Sequence, residues 1–543
     1  MKKNTQDIII SIINDVLKTI GAQDCVLYLD IPDSSSFGDY STNIALKLSK
    51  SMKKAPIEIA GLIVSEIEKS IPGSPAKEYI KEVKVEGAGF INFYLRNEYF
   101  YGELRKILKN GKGALRLSLG NGKKVLIEFV SANPTGSLSV AHARQAAVGD
   151  VLANIMSFAG FKVKREYYLN DEGNQINILG DSVRLRLLEL KGEEIEFPQN
   201  YYQGDYIYDI AKSIQGREGK VKDLGGYAAG YILEIIRKEL FDFGVDFDYW
   251  YSQKKLRESG KIKKAFQLLK KKGFLYEQEG ALWFKSTLFG DDKDRVVVKS
   301  DGSFTYLAPD IAYHQDKFRR GFNWLINLWG PDHHGYIKRL TASVEALGRG
   351  VDSLSVIIVQ LATIFRDGKP VQMSTRKGQY ITLREVLDEV GRDASRFFFL
   401  MRRTSSHLDF DLDAAKKQNA ENPVYYVQYA HARICSVLRN SKTTLKPSGF
   451  DLGLLREKEE LELLKKLKQL SYILEVCSKT LDPYMLTVYL QELAEAFHKF
   501  YDTHRVLGQE DKLTRARLAL LEGTRVVIAT ALEILGVSLP QSM

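Results

Sequence analysis

Cysteine is scarce in this chain: Cys25, Cys435 and Cys477 are the only three among 543 residues. Three thiols this far apart make neither a disulfide framework nor a thiolate zinc site. His333 and His334 offer no metal site either, because adjacent side chains do not share one face of a helix. We therefore expect no protein-bound metal, and we expect a reducing, cytoplasmic location.

Long uninterrupted apolar runs are also missing, and none reaches the roughly 20 residues that a membrane-spanning helix needs. Two lysines follow the first methionine and precede an apolar stretch, but Asp7 and Asn14 interrupt the apolar pattern at helical spacing. No small-residue cleavage site follows, so the pattern predicts an amphipathic first helix and not a signal peptide. We expect a soluble protein with no membrane partner.

Acidic residues are outnumbered, with 68 Asp and Glu against 78 Lys and Arg, and the formal net charge is +10. This moderate basic excess is compatible with a polyanionic partner such as RNA, although many soluble proteins are as basic. The length exceeds what one hydrophobic core supports, so several domains are expected.

The first predicted domain covers residues 1–115. Apolar residues recur at helical spacing near 8–20 and 57–67. Strand-like runs lie at 25–31 and 80–86. Together these patterns predict a small α+β unit.

Residues 116–413 follow a different pattern, in which strands alternate with helices. That alternation predicts an α/β domain with a Rossmann-like parallel sheet. A longer and more charged stretch at about 191–295 interrupts the alternation, and we interpret it as an insertion. Residues 414–543 show helical spacing throughout, which predicts a C-terminal all-α bundle.

One junction in the second domain is suited to an anion. A strand-like run at 123–130 is followed by the turn-rich run SANPTG, and a helical pattern starts near His142. A helix N-terminus beside a strand end presents unpaired backbone N–H groups and a positive dipole end, which both favour phosphate. Taken alone, such a histidine is more often a helix cap or a satisfied core residue than a phosphate ligand.

The run SVAH at 139–142 resembles the first signature of class I aminoacyl-tRNA synthetases, whose usual form is HIGH. The run QMSTRKG at 372–378 is similar to their second signature, KMSKS. Further runs resemble one member family, the arginyl-tRNA synthetases: IEFVSANPTG, REYYLNDEGNQI, TYLAPDIAYHQDK, WGPDHHGY and NPVYYVQYAHARI. The matches extend over nearly the whole chain.

The resemblance implies that both signatures bind ATP and promote the reaction. The residues it assigns to ATP binding are Ser139, Ala141, His142, Met373, Ser374 and Arg376. Those it assigns to catalysis are His142, Ser139, Arg376 and Lys377. Mg²⁺ is expected to arrive with ATP, which is a substrate.

Both signatures depart from the usual pattern. Ser139 replaces the first histidine, and the sequence leaves open whether it donates to a phosphate or only caps the helix. Gln372 and Thr375 replace the two lysines of the second signature. The charge that meets pyrophosphate must then come from nearby basic residues: Arg376, Lys377 or Lys369.

Recognition of arginine requires carboxylates that match a planar guanidinium. The resemblance places Tyr306 and Asp310 there, and their spacing of four is one helical turn, so both are expected to face one pocket. It matches Glu128 and Asn133 to the α-amino end of the substrate, with Asp332 as a weaker candidate.

For tRNA, the resemblance implies contacts from the first domain to the RNA elbow and from the last helices to the anticodon. Aromatic and amide side chains of this kind stack on unpaired bases or hydrogen-bond to them. The predicted contacts are Phe37, Asn92, Phe93, Tyr425, Tyr429, Arg433 and Met543. Tyrosines at helical spacing are more often packing than base platforms, so only some of these are expected to function.

The resemblance thus implies an arginine–tRNA ligase that makes arginyl-adenylate and transfers arginine to the terminal ribose of an arginine tRNA, acting as a monomer. Two alternatives stay open. The departures in the signatures are compatible with a non-catalytic, synthetase-like RNA-binding regulator. A small-molecule nucleotidyltransferase of the same fold is the other, although it would not need the helical C-terminal domain.

Overall fold

The computed structural model describes residues 5–22, 25, 27–32, 35–371, 380–441 and 450–543. Within them the chain forms an antiparallel N-terminal sheet, a parallel central sheet and a C-terminal group of long helices. This arrangement confirms the predicted fold class. No helix in this part of the chain is both long and apolar enough to cross a membrane.

The N-terminal unit is a three-stranded sheet covered by helices. Its elements are α1 (Thr5–Thr19), β1 (Tyr40–Thr42), α2 (Ile44–Met52), α3 (Pro56–Ser70), β2 (Ile80–Glu86), β3 (Phe90–Leu95) and α4 (Asn97–Asn110). Helix α1 buries Ile9, Ile13 and Val16 on one side, as its spacing predicts. The run at 25–31 forms no strand in its described residues, where Asp30 alone pairs with Ser41 in an isolated bridge.

The α/β domain follows. In chain order its elements are β4 (Lys124–Glu128), α5 (Val140–Phe158), β5 (Lys162–Leu169), α6 (Asn174–Leu190), α7 (Asp205–Ile214), α8 (Leu224–Asp242), β6 (Tyr249–Ser252), α9 (Gln253–Glu258), α10 (Lys261–Lys271), β7 (Leu275–Gln278), β8 (Ala281–Phe284), β9 (Arg295–Val298), α11 (Leu307–Arg319), β10 (Trp324–Trp329), α12 (Ile337–Ala346), β11 (Leu354–Ile358), β12 (Ala362–Arg366), β13 (Lys369–Pro370), α13 (Leu383–Phe399), β14 (Leu408–Asp411) and α14 (Leu412–Lys416).

Five parallel strands form the central sheet in the order β11-β10-β4-β5-β6. The chain therefore moves outward from β4 to β6 and then returns to the other side of β4. In such sheets the crevice between the strands at this switch point is where ligands bind, at the carboxyl ends. Here that crevice opens between β4 and β10.

The segment interpreted as an insertion needs one correction. Tyr249–Ser252, inside 191–295, forms β6, which pairs with β5 in the central sheet. The strand is four residues long and its central residues are only half-buried, so it lacks the apolar signature of a buried strand. The part that follows β6 and lies apart from the central sheet consists of α9, α10 and the antiparallel β7-β8-β9 sheet. It packs with α11 and α12 in a hydrophobic cluster separate from the main core.

In its described residues, 414–441 and 450–543, the last domain contains four long helices. They are α15 (Pro423–Asn440), α16 (Lys458–Thr480), α17 (Tyr484–Thr503) and α18 (Asp511–Leu535). Helix α4 of the N-terminal unit packs on α16 and α18. At this contact a Cβ on Gly523 would lie 2.3 Å from Leu104 Cδ1, so only glycine leaves room for that side chain.

A fully buried arginine connects the α/β domain to the bundle. Arg396, on α13, donates to the carbonyl of Leu535 at 2.7 Å and to that of Phe243 at 3.1 Å. It also forms a 2.5 Å ion pair with Asp150 on α5. Three segments distant in sequence are thereby tied to one guanidinium group.

Replacing Arg396 with leucine should lower the free energy of unfolding by about 3–5 kcal/mol, because it removes one partner of a buried charge pair. Arg392→Leu is the matched control, since Arg392 is exposed and donates to one carbonyl, that of Gly536. It should cost less than about 1 kcal/mol. Urea unfolding measures both, and equal losses would contradict the role given to Arg396.

Candidate active site

The crevice between β4 and β10 contains a chain of buried polar groups. Lys317 Nζ, on α11, lies 2.5 Å from Glu128 Oε2 at the end of β4 and 3.2 Å from Asn327 Oδ1 on β10. Asn327 Nδ2 lies 2.9 Å from His314 Nε2, and His314 Nδ1 lies 2.8 Å from the carbonyl of Asp310. Burial and the nearby lysine hold the pKa of His314 well below its usual range, so the ring is neutral. Nε2 then accepts from the asparagine amide, and Nδ1–H donates to the carbonyl.

Asp310 lies in the first turn of α11, next to this network, and burial raises its pKa to about 6. Its Oδ2 accepts a hydrogen bond from the Tyr336 hydroxyl. Tyr306, predicted to share the pocket, is 81% exposed at the start of the helix. The residue against the Asp310 carboxylate is thus Tyr336, which ends the run WGPDHHGY but was not singled out from the sequence.

Aromatic rings form a wall beside the two carboxylates. The Tyr168 and Tyr313 rings have centroids 4.5 Å apart, and Lys317 Nζ lies 4.1 Å from the Tyr313 centroid. Burial raises the pKa of Tyr168, and the charges of Asp310 and Glu128 raise it further, so this ring lies within electrostatic range of both carboxylates. A pocket with one free carboxylate and aromatic faces suits a planar cation.

The turn after β4 is held in an uncommon backbone conformation. Val130 and Ser131 have φ of 67° and 42°, which is costly for a β-branched residue and persists only where the surroundings enforce it. Ser131 Oγ accepts from the Tyr168 N–H at 3.1 Å and donates to Glu128 Oε1 at 3.3 Å. Asn133, two residues later, donates to Gln175 at 2.6 Å. This turn therefore places Glu128 and Asn133 at the mouth of the crevice.

Ser139 is the N-cap residue of α5, and His142 lies in its first turn. His142 Nδ1 accepts from the Ser139 N–H at 3.2 Å and lies 3.0 Å from Ser139 Oγ. If Nδ1 is an acceptor, the proton of the neutral ring is on Nε2. Burial lowers the pKa of His142 to about 4, opposed by Asp332. The His142 ring is therefore neutral at neutral pH, although it keeps an N–H.

The second signature falls outside the described residues, and with it Met373, Ser374, Arg376 and Lys377. The backbone that follows joins the first signature directly: Ser139 and Thr382 form an antiparallel bridge, and the Leu383 N–H donates to the Leu138 carbonyl at 2.8 Å. The Tyr380 hydroxyl donates to the Ser137 carbonyl at 3.0 Å. The residues that follow the second signature in the sequence, from Tyr380 to Leu383, thus lie beside the first signature at one end of α5.

The other predicted crevice residues lie at its rim. Ala141 is half-buried. Asp332 is exposed and lies 3.3 Å from His333 Nε2, at the end of the sheet where β10 stops. Within the described residues, no cluster of three or more histidine, cysteine or carboxylate side chains is arranged to hold a metal ion.

Of the predicted RNA contacts in the first domain, two lie on one groove. Phe37 is 52% exposed and lines a groove of about 370 Å³, and Asn92, which is only 2% exposed, lies in the floor of this groove. Asn92 Oδ1 accepts from Ser41 Oγ at 2.6 Å. Phe93 is completely buried in the core, so it offers no ring face to a base, and we withdraw it as a contact.

In the last domain, Tyr425 and Tyr429 stack in parallel on α15, with centroids 6.3 Å apart. The Arg433 guanidinium lies 5.6 Å from the Tyr429 ring and 4.3 Å from that of Tyr501. Met543 is 51% exposed. These four predicted residues are at least partly accessible, and all but Met543 lie on one face of α15.

Three family models match the chain in succession. They describe an arginyl tRNA synthetase N terminal domain at 6–95, the catalytic domain of tRNA synthetases class I (R) at 103–434, and a DALR anticodon binding domain at 427–543. The catalytic model alone matches more than half of the chain.

Curated relatives match over nearly their whole length. The arginine–tRNA ligase of Citrifermentans bemidjiense is 48% identical over 526 residues, which is 94% of each chain. That of Bacillus subtilis is 45% identical over 528 residues, covering 95% of this chain and 94% of its own. The solved arginyl-tRNA synthetase of Thermus thermophilus has a similar fold, with a TM-score of 0.77 at 21% identity over 98% of this chain and 99% of its own.

The neutral state of His142 can be observed directly. In protein labelled with ¹³C at the histidine ring, the His142 signal, identified by its loss in His142→Gln, should titrate with a midpoint near 4. Because its pKa is lower in the folded than in the unfolded protein, protonation should cost stability as pH falls from about 6.5 towards 4. A midpoint at 6 or above would show that burial does not govern this ring.

Proposed function

The chain belongs to the arginyl-tRNA synthetase family of class I aminoacyl-tRNA synthetases, and on that premise we propose that it joins L-arginine to an arginine tRNA at the expense of ATP. One observation carries the choice of substrate: a buried carboxylate, Asp310, hydrogen-bonded by Tyr336 beside aromatic rings, in the crevice that the first signature borders. A guanidinium group supplies the positive charge and the planar donors that this carboxylate needs.

Arginine binding is assigned to five residues. Asp310 pairs with the guanidinium and Tyr306 covers it from the exposed side, while Glu128 and Asn133 face the α-amino end, and Asp332 is assigned as a further, weaker contact. Lys317 already neutralises Glu128, so Glu128 contributes a hydrogen-bond acceptor and not an uncompensated charge. Tyr336 is added as the residue that orients the Asp310 carboxylate.

ATP is assigned to the start of α5 and to the second signature. Ser139, Ala141 and His142 surround the phosphates at a helix N-terminus, where the positive end of the helix dipole favours an anion. Met373, Ser374, Arg376 and Lys377 are proposed to complete the site. Mg²⁺ enters with the nucleotide and screens its phosphates.

The chemistry proceeds in two displacements. An oxygen of the arginine carboxylate attacks the α-phosphorus of ATP, a P–O bond forms, and pyrophosphate leaves with the electron pair of the broken P–O bond. A hydroxyl of the terminal ribose of the tRNA then attacks the activated carbonyl, and AMP leaves. The protein contributes mainly position and charge stabilisation, with the neutral His142 N–H donating where negative charge grows.

RNA is proposed to contact both end domains. Phe37 and Asn92 face the elbow of the tRNA, and Tyr425, Tyr429, Arg433 and Met543 face the anticodon arm. The domain boundaries 1–115, 116–413 and 414–543 are likewise proposals. We further propose a monomer that acts in the cytoplasm.

The deciding experiment is aminoacylation of total tRNA with each amino acid in turn. Arginine should be the only amino acid attached, and attachment should require ATP. The non-catalytic alternative predicts tRNA binding without attachment of arginine. The nucleotidyltransferase alternative predicts nucleotide transfer to a small molecule without any need for tRNA.

Asp310→Asn keeps the shape of the side chain and removes its charge. It should reduce kcat/KM for arginine by about 2–4 kcal/mol, the scale of a buried charge-assisted hydrogen bond. In the parent, KM for arginine should rise as pH falls below 6, because the carboxylate form binds the guanidinium and the pKa of free Asp310 is about 6. The variant should lose this pH dependence. Activity within threefold of the parent would remove Asp310 from the pocket.

His142→Ala should slow adenylate formation by about 3 kcal/mol or more with little change in arginine binding, because its N–H is most effective as charge develops in the transition state. Ser139→Ala should cost only about 0.5–1.5 kcal/mol, the range for one neutral hydrogen bond. Pyrophosphate exchange at saturating tRNA measures both. A fully active His142→Ala variant would place the nucleotide elsewhere.

A further inference from the structure

The two RNA-contacting domains, far apart in sequence, are attached to each other at several places, and two of these attachments differ in kind. The first attachment is helix α4: the Tyr101 hydroxyl donates to the Leu455 carbonyl at 2.7 Å, and Lys468 lies 3.2 Å from Glu103. The second is an ion pair between Asp39 of the N-terminal unit and Lys465 on α16, with Oδ1 and Nζ 2.7 Å apart. A cavity of about 670 Å³, lined by residues of both domains, lies at this junction.

The ion pair is more than a surface contact. The Asp39 side chain is 8% exposed and that of Lys465 is 24% exposed. Solvent and salt screen an ion pair of such low exposure only weakly, and the loss of one partner leaves the other charge without compensation.

Asp39 also fixes the loop that carries Phe37. Its Oδ2 accepts from the Leu95 N–H at 2.7 Å, and its own N–H donates to the Phe93 carbonyl at 2.8 Å. Gly38, between the two residues, has φ of +92°, and a Cβ there would lie 2.8 Å from the Phe93 carbonyl oxygen. The loop is thus pressed onto β3, and Phe37 moves with Asp39.

We infer that the Asp39–Lys465 ion pair is a positioning device that holds the Phe37 groove at a fixed distance from the stacked Tyr425–Tyr429 face, so that both bind one tRNA at once. This inference rests on the proposed function. Two sites on one chain reinforce each other only when their spacing matches that of the ligand. Without the pair, the N-terminal unit stays attached through α4 but loses its orientation.

The test uses the full-length protein and a matched pair of lysines. Lys465→Met should raise the Kd and KM for arginine tRNA about fivefold or more, with kcat at saturating tRNA within twofold of the parent. Lys466→Met is the control, because Lys466 pairs with Glu492 at 2.6 Å inside the helical domain and is 26% exposed. It should change neither constant by more than twofold. Lys465→Arg should restore binding.

A second variant separates positioning from a direct contact of Lys465 with RNA. Asp39→Asn removes the acidic partner but leaves an oxygen to accept from Leu95. Positioning predicts the same loss of tRNA affinity as Lys465→Met and no further loss in the double variant, because both changes break one interaction. A direct phosphate contact predicts unchanged or tighter binding in Asp39→Asn, and that result would overturn the inference.

Binding of tRNA is measured without ATP or arginine, and thermal unfolding is recorded for every variant. Should the parent fail to attach arginine, the proposed function fails, while the binding comparison still decides the inference. Should Lys465→Met unfold below the assay temperature, Asp39→Asn and Lys465→Arg decide it. Parent-like affinity in both Lys465→Met and Asp39→Asn would refute the positioning role.

Discussion

The position of helix α5 depends on two buried guanidinium groups, and the crevice depends on α5. Arg144, in its second turn, donates to the carbonyls of Gln360, Leu361, Arg403 and Ser406. Arg396 holds the same helix through Asp150. Burial lowers the pKa of Arg144 only to about 10, so it stays charged at neutral pH and needs its carbonyls. The helix cannot slide without leaving a buried charge unpaired, and its N-terminus, with Ser139 and His142, is fixed relative to the sheet.

Against this fixed frame, the crevice contains two carboxylates in different electrostatic states. Glu128 is neutralised by Lys317, whereas burial raises the pKa of Asp310 to about 6 although Asp310 accepts a hydrogen bond from the neutral Tyr336 hydroxyl. Ionisation of this carboxyl group is costly in the empty pocket, and it becomes favourable once a cation binds beside it. The same environment thus disfavours a neutral side chain in place of arginine, because Asp310 would remain buried without a positive partner.

The sequence was sufficient for the layout of the fold but not for the contacts within the site. Strong apolar periodicity predicted α1, the central strands and the C-terminal helices, since burial sets that periodicity. It missed β6 because a four-residue edge strand whose central residues are only half-buried has no such signal. The sequence run around Asp310 was enough to identify it. Asn327 lies on β10 and Tyr336 lies just before α12, and only the fold brings these two residues to the site. Ser139 shows the same limit: its contact with His142 Nδ1 could be expected from helix capping, whereas the neutral state of His142 follows from burial that the sequence does not reveal.

The ends of the chain are joined more closely than their separation in sequence suggests. Helix α4 ends the first domain, yet Leu104 packs where Gly523 leaves room for it, and Lys112 pairs with Glu533 at 2.9 Å. The helical bundle therefore obtains part of its core from residues that precede the whole α/β domain. A domain boundary drawn from sequence periodicity separates elements that pack as one unit. Because Arg396 joins the end of α18 to α5, a displacement of the bundle also disturbs the contacts that fix the active-site helix. The three domains are thus joined through α4, through the Asp39–Lys465 pair and through Arg396, and a change in the orientation of either end domain disturbs at least one of these contacts.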